Sequence, residues 1–181
     1  LSSSLIFDFI QDMDGMLWAG SFNNGLFRIN PKKSTYENFV HRHGETGSLN
    51  DNRIFTVYAD PFGNIWAGTA AGVSRFNYKT RRWRNFTTED GLPGTVVYGI
   101  MAEKNKQDEK NKQTPALWFS TNRGLSRFDT QTGTFRNFDR EDGLQADEFN
   151  KGAFLRSRSG LFFFGGVNGF NVFNPNHITS N

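Results

Sequence analysis

Pairs of adjacent carboxylate residues are the side chains of this sequence best suited to chemistry. Three such pairs lie in the predicted loops between repeats, Glu89-Asp90, Glu141-Asp142 and Asp147-Glu148. Two carboxyl groups can act as the acid and the base of a glycosidase, and clustered carboxylates can bind Ca²⁺. However, the first two pairs belong to the same tetrapeptide, Glu-Asp-Gly-Leu, at equivalent places of a repeat. A catalytic pair is normally unique within a repeat array, so this recurrence favours a turn over catalysis.

The remaining candidates for chemistry are three histidines: His41, His43 and His177. The pair His41-Arg-His43 could begin a metal site, but the sequence nearby supplies no third ligand at a suitable spacing. The chain has no cysteine, which excludes a disulfide scaffold and thiolate ligands. It also lacks a nucleophile elbow, a phosphate-binding loop and a zinc signature. We therefore expect no catalytic residue, no metal site and no cofactor.

Composition and charge narrow the classes of partner. The net charge of +3 is far below that of a typical nucleic-acid-binding domain of this size, so we expect no nucleic-acid partner. No run of about 18 apolar residues is present, so the membrane would be reached only through flanking segments. The 20 Phe and 19 Gly among 181 residues are typical of short strands separated by tight turns.

The elements that carry these residues form an internal repeat. Four similar stretches centre on aromatic residues at spacings of 48, 52 and 45 residues, namely Trp18, Trp66, Trp118 and Phe163. A polar turn ending in glycine and a second apolar alternation follow each of them. In the second repeat, alternation and turn residues predict strands at 53–59, 64–69, 72–78 and 82–87.

Four antiparallel strands at this period predict an all-β fold of β-propeller blades. We expect about four four-stranded blades, approximately at 1–48, 49–91, 92–143 and 144–181, the last one incomplete. Because one blade cannot cover its own faces, Trp18, Trp66, Trp118 and Phe163 are predicted to form the core between blades. An open arc of this kind has two uncovered ends, so it should be part of a larger propeller or be closed by another copy. A closed ring of four blades is the remaining alternative. The charged insertion 102–116 is expected to be a mobile solvent loop.

The blade motifs resemble a known repeat. Residues 60–69 read Asp-Pro-Phe-Gly-Asn-Ile-Trp-Ala-Gly-Thr, followed by Gly72-Val73, and residues 12–26 follow nearly the same pattern. This pattern resembles the two-component regulator propeller repeat, which occurs in periplasmic sensing regions of bacterial hybrid histidine kinases. The end of the chain, up to Asn174-Pro175, resembles the last blade of that family.

The resemblance implies a function. The chain would be the periplasmic part of an inner-membrane receptor that binds a solute, often an oligosaccharide in this family, and either dimerises or continues into further blades. Propeller ligands usually bind where the loops between blades and the turns between second and third strands converge. The polar residues expected there are Asn23, Asn24, Asn122, Arg123, Asp147, Glu148, Asn150 and Asn168.

Two other functions remain open from the sequence. One is a propeller enzyme, because streptogramin lyases have similar blades and some glycan lyases are propellers. The streptogramin type needs His and Glu facing a central metal, whereas the three histidines here lie away from the predicted axial strands. The other is a passive scaffold that binds a protein, which the sequence barely separates from a sensor.

Overall fold

The structure is a computed structural model, and it describes residues 4–45, 47–103 and 116–178. Strands and short 3₁₀ turns make up its regular structure. The strands are β1 (Ile6–Gln11), β2 (Leu17–Ser21), β3 (Leu26–Asn30), β4 (Thr35–Phe39), β5 (Ile54–Ala59), β6 (Asn64–Thr69), β7 (Gly72–Asn77), β8 (Arg82–Phe86), β9 (Val97–Ala102), β10 (Leu117–Thr121), β11 (Gly124–Asp129), β12 (Thr134–Phe138), β13 (Phe149–Arg156), β14 (Phe162–Gly166) and β15 (Gly169–Phe173). The 3₁₀ turns are Thr88–Asp90, Arg140–Asp142 and Pro175–His177. None of the described residues forms a helix long and apolar enough to cross a membrane.

The strands form four antiparallel sheets in chain order. Blade 1 is β1–β4, blade 2 is β5–β8 and blade 3 is β9–β12, and the described part of blade 4 is β13–β15. Within each sheet every strand pairs with the next one in the chain. The first strands lie side by side, β1 with β5, β5 with β9 and β9 with β13, and therefore surround the axis. The predicted all-β propeller fold is confirmed.

Turn chemistry explains why each blade folds into hairpins. In blade 2, the Asp60 carboxylate accepts hydrogen bonds from the backbone N–H groups of Phe62 and Asn64, both at 2.9 Å. The backbone N–H of Asp60 closes the turn on the Asn64 carbonyl at 2.9 Å. Gly63 adopts a φ of 81°, which glycine tolerates better than other residues. The sequence Asp-Pro-Phe-Gly-Asn thus specifies the connection between β5 and β6.

Tryptophans fill the spaces between blades. Trp18, Trp66 and Trp118 are at most 1% exposed. Each ring packs against a phenylalanine on the third strand of the following blade: Trp18 against Phe76, Trp66 against Phe128 and Trp118 against Phe173. Burying such aromatic area is worth about 1.5–3 kcal/mol or more per side chain. The repeat therefore builds one continuous core from blade to blade.

Phe163 differs from the three tryptophans. It occupies the equivalent position, because it pairs with Val172 as Trp118 pairs with Arg127, but it is only half-buried. The expectation that it lies in the core is therefore wrong for the described residues. The reason is that no described blade covers this face, which also leaves Leu155 and Val172 exposed.

Phe162 and Phe164 supply the core of blade 4 instead, and both are fully buried. They point towards blade 3, which is the only described blade that covers a face of blade 4. The predicted loop 102–116 cannot be compared in the same way, because residues 104–115 lie outside the described residues.

Candidate functional site

A carboxylate holds the indole N–H of each buried tryptophan. The donor–acceptor distances are 2.8 Å from Trp18 Nε1 to Asp12 Oδ2, 3.0 Å from Trp66 Nε1 to Asp60 Oδ2 and 2.7 Å from Trp118 Nε1 to Glu103 Oε1. A buried N–H without an acceptor would be costly, so these carboxylates are tied to the core. They are structural groups rather than candidates for catalysis.

The arginines that recur on the third strands belong to the same units. The guanidinium of Arg28 lies 5.9 Å from the Trp18 ring, and that of Arg75 lies 5.4 Å from the Trp66 ring. Arg127 instead forms an ion pair of 2.7 Å with Glu103, whose hydrogen bond raises the pKa of the guanidinium. Arginine thus covers each tryptophan or pairs with its carboxylate.

The recurring Glu-Asp-Gly-Leu sequence forms a capped turn. Thr87 Oγ1 accepts a hydrogen bond from the Glu89 N–H, while the Asp90 carboxylate accepts one from the Thr87 N–H at 2.8 Å. Gly91 ends the turn with a φ of 111°. Asp139, Asp142 and Gly143 repeat this arrangement in blade 3. The capping box accounts for the repetition of the acidic pair.

His41 and His43 lie in the connection between blades 1 and 2. The Nδ1 atom of His41 is 2.7 Å from the Leu49 carbonyl oxygen, and the two imidazole rings are 6.5 Å apart. Within 4–45, 47–103 and 116–178, no three His, Asp or Glu side chains are grouped so that they could hold a metal ion.

Four of the predicted ligand-binding residues line one open cleft, which we call the blade 3–4 cleft. Asn122 and Arg123 reach it from the β10–β11 turn, and Asp147 and Glu148 from the connection that leads into β13. The cleft has a volume of about 500 Å³, and its lining is completed by Pro93, Asn137, Phe138 and Asp139. A ligand in it would meet one guanidinium, several carboxylates and two amides.

Hydrogen bonds fix the two sides of the cleft. The amide oxygen of Asn122 accepts a hydrogen bond from the Val96 N–H at 3.0 Å, so this side chain positions the loop between blades. The backbone N–H of Gly124 donates to the Asp147 carbonyl, and the Asp147 carboxylate accepts from the Arg140 N–H at 3.3 Å. The side chains of Arg123 and Glu148 are exposed and form no ion pair with another described residue, so they can meet a ligand.

The other four predicted residues are not brought into this cleft. Asn23 and Asn24 lie on the β2–β3 turn of blade 1, where Asn24 donates to Ser4 Oγ at 2.8 Å. Asn168 lies on the β14–β15 turn, with its N–H bonded to the Gln145 amide oxygen at 2.7 Å. Asn150 lies within β13. The turns share one end of the blades but spread around it.

A further group of residues surrounds the axis, and the sequence prediction missed it. Phe7, Phe55 and Tyr98 lie on the first strands of blades 1 to 3, and Lys151 lies on that of blade 4. The Phe7 and Phe55 ring centroids are 6.1 Å apart, those of Phe55 and Tyr98 are 5.5 Å apart, and Lys151 Nζ is 3.2 Å from the Phe7 centroid. We call these four residues the axial cluster. The 48-residue spacing of Phe7 and Phe55, which equals the spacing of Trp18 and Trp66, is the sequence feature that could have revealed this cluster.

Residues 48–71 match the family model described as Two component regulator propeller. This segment is a two-component regulator propeller repeat. It contains β5 and β6, the turn between them and Trp66, which are the features on which the resemblance was based. The predicted recognition of the repeat is confirmed.

Longer proteins are similar to the chain over almost all of its length. Histidine kinase P4 of Formosa agariphila is 24% identical over 211 residues, a match that covers 94% of this chain and 15% of the kinase. The extracellular domain assigned to a hybrid two component system, BT3049, of B. thetaiotaomicron superposes with a TM-score of 0.80 and 26% identity, covering 94% of this chain and 22% of that one. The chain therefore spans less than a quarter of either relative.

A propeller of a different kind shares the fold. Virginiamycin B lyase from Staphylococcus aureus superposes with a TM-score of 0.60 at 16% identity, covering 93% of this chain and 55% of the lyase. At this identity the similarity concerns the blade architecture alone.

Proposed function

We propose that this chain is a propeller segment of the ligand-sensing and dimerising region of a membrane-bound two-component receptor, and that it lies in the periplasm. The observation that carries the proposal is the superposition of 94% of the chain, at a TM-score of 0.80, on the extracellular domain of a hybrid two component system. The repeat at 48–71 supports it. The segment itself would bind rather than catalyse, and a separate output domain would carry any kinase activity.

The blade 3–4 cleft is the proposed ligand site. Its volume of about 500 Å³ lies within the range of small-molecule sites. Arg123 can donate hydrogen bonds in a planar fork, and Asp147 and Glu148 can accept them from hydroxyl groups. This combination suits a small solute or an oligosaccharide, whose many hydroxyl groups both donate and accept.

We also propose that the four blades are part of a larger propeller. Blade 4 exposes Leu155, Phe170 and Val172, and blade 1 exposes Phe9 and Tyr36. The residues equivalent to Phe9 and Phe170 in blade 2, Val57 and Val73, are buried. A following blade of the same protein, or a second copy of it, would remove both surfaces from water.

Calorimetric titration of the natural-length protein with a panel of oligosaccharides tests the ligand site. For a sugar that binds, Arg123→Ala should weaken binding by at least about tenfold, because charged hydrogen bonds contribute about 1.5–3 kcal/mol. Arg158→Ala is the matched control, since Arg158 is an exposed arginine in the turn between β13 and β14.

The same titration separates the other functions. Equal affinities for the Arg123 and Arg158 variants would contradict the site. Conversion of the sugar into a product would favour an enzyme. A protein whose histidine kinase output responds to no solute, but which retains a protein partner, would favour a scaffold.

A further inference from the structure

We propose that the axial cluster is a binding subsite for a ring that carries a carboxylate. Two classes of ligand offer an apolar ring face next to a carboxylate. They are the uronic acids and the aromatic acids. The inference goes beyond the blade 3–4 cleft and does not depend on signalling, because binding at the axis can be measured directly.

In three successive blades, a break in the regular strand pairing changes the direction of an aromatic side chain. In β1, Ile6 pairs with Ser21 and Asp8 with Gly20, which leaves Phe7 unpaired. The register shifts in the same way at Phe55 in β5 and at Tyr98 in β9. A β-bulge re-aims the side chain it carries, and bulges are frequent beside functional sites. Three equivalent bulges therefore aim three rings at the axis.

The three rings form a continuous apolar surface that solvent still reaches. The Phe7 and Phe55 planes are nearly parallel, at 15°, and the Tyr98 ring meets Phe55 at 62°. All three side chains are only half-buried, in contrast to the tryptophans between the blades. Exposed aromatic faces bind the apolar faces of other rings. The platform is therefore suited to a planar ring or to the C–H face of a pyranose.

The fourth blade contributes a cation in place of a ring. In β13 the regular pairing stops between Phe149 and Phe154, and this wider interruption contains Lys151. The ammonium lies 3.2 Å from the Phe7 ring centroid and forms no ion pair with any other described residue. An aromatic face is a weaker partner for an ammonium than a carboxylate. Lys151 can therefore bind a ligand carboxylate while the ligand ring rests on Phe55, since the ammonium covers a face of Phe7.

Charge on the other side of the cluster sets the orientation of the ligand. Burial raises the pKa of the Tyr98 phenol, and the nearby Glu148 carboxylate raises it further. The same negative field would repel a ligand carboxylate from the Tyr98 side. The anion would therefore face Lys151, and a ligand hydroxyl would face Tyr98 and Glu148.

The test is a titration of the natural-length protein with glucuronate and with benzoate, using glucose and benzyl alcohol as neutral counterparts. At least one acid should give saturable binding, and its neutral counterpart should bind at least about tenfold more weakly. Preference for glucuronate would identify a uronic acid as the source, and preference for benzoate an aromatic acid. If neither acid binds, the proposal is wrong.

Variants then locate the binding. Lys151→Gln should reduce acid affinity at least about tenfold, down to that of the neutral counterpart, whereas Lys79→Gln, at an exposed lysine in the β7–β8 turn, should change nothing. Tyr98→Phe keeps the ring and should leave acid binding within about threefold, while Phe55→Leu removes part of the platform and should weaken it. Thermal unfolding of each variant shows whether it is folded. Unchanged acid affinity in a folded Lys151→Gln protein would overturn the proposal.

Glu148 borders both proposed sites, but Arg123 and Lys151 each belong to one of them, so the two sites can be tested separately. Arg123→Ala should leave binding of the acid at the axis unchanged, because Arg123 lines the blade 3–4 cleft and is not part of the axial cluster. If Arg123→Ala and Lys151→Gln both abolish binding of the same acid, the two sites are one and the separate axial subsite is wrong.

Discussion

Trp118 Nε1 donates a hydrogen bond of 2.7 Å to Glu103 Oε1, although the two residues are 15 positions apart in the sequence. In blades 1 and 2 the corresponding carboxylates, Asp12 and Asp60, precede their tryptophans by only six positions. The insertion in the third repeat thus separates the two groups in sequence while the contact between them is kept. Glu103 also pairs with Arg127, so one carboxylate satisfies both an indole and a guanidinium.

Replacing Glu103 should therefore destabilise blade 3. We expect Glu103→Ala to lower the free energy of unfolding by about 2–4 kcal/mol, because it leaves the buried Trp118 N–H and the partly buried Arg127 without their acceptor. Glu103→Gln keeps an acceptor for the indole and should lose less. Urea denaturation followed by tryptophan fluorescence measures both changes.

The control for this prediction is Glu141→Ala. Glu141 is exposed in the second capped turn, and its replacement should change stability by no more than about 0.5 kcal/mol. Equal losses in the Glu103 and Glu141 variants would contradict a structural role for the carboxylate beside Trp118.

A glycine at the start of β7 should tolerate no side chain. Gly72 has a φ of 118°, and a Cβ added there would collide with the carbonyl oxygen of Phe86. Gly63 also has a positive φ, of 81°, but a Cβ there would meet nothing within 4 Å. We expect Gly63→Ala to cost about 1 kcal/mol through backbone strain alone, and Gly72→Ala to cost at least about 2 kcal/mol more through the collision. Thermal unfolding of the two variants provides the comparison, and similar losses would refute the collision.

The repeat made the fold predictable. Trp18, Trp66 and Trp118 recur together with the glycines of the turns. The tryptophans are needed because each blade must be covered by the next, and the glycines are needed because the hairpins must close. Phe163 misled the prediction because burial depends on the neighbouring blade, which no local pattern encodes. Its position in the strand was deduced correctly, but its environment was not.

The site was less predictable than the fold. The sequence places Asn24 and Arg123 on equivalent turns, yet only Arg123 lines the blade 3–4 cleft, because the turns are spread around the axis. The axial cluster was missed for another reason. Alternation assigns a regular strand to 53–59, whereas the bulge at Phe55 changes the direction of its side chain, and bulges leave little trace in composition.

The exposed face of blade 4 leads to a prediction about the natural-length protein. If a further blade or a second copy covers Phe163, then Phe163→Ser should lower the free energy of unfolding by about 2–4 kcal/mol, as in a core. If the face remains uncovered, as here, the loss should be only about 1 kcal/mol, because Phe163 is then half-buried. Phe22→Ser, at an exposed phenylalanine in the β2–β3 turn, is the control. A small loss at Phe163 would contradict the proposed larger propeller.

Tyr58 should make stability depend on pH in the alkaline range. The pKa of Tyr58 is raised from 10.0 to about 12, mainly by burial between blades 2 and 3 and further by the Asp60 charge, while the Arg156 charge opposes the shift. Because the folded pKa is the higher one, the stabilisation is complete below pH 10 and is lost as the pH rises through about 12. A shift of this size corresponds to roughly 2–3 kcal/mol.

The variant Tyr58→Phe lacks this contribution at every pH. Urea denaturation of both proteins from pH 8 to about 12 gives the difference between their free energies of unfolding, in which the titration of their other groups cancels. The unsubstituted protein should lose stability relative to the variant as the pH rises, and a constant difference across the range would show that Tyr58 titrates equally in the folded and unfolded states.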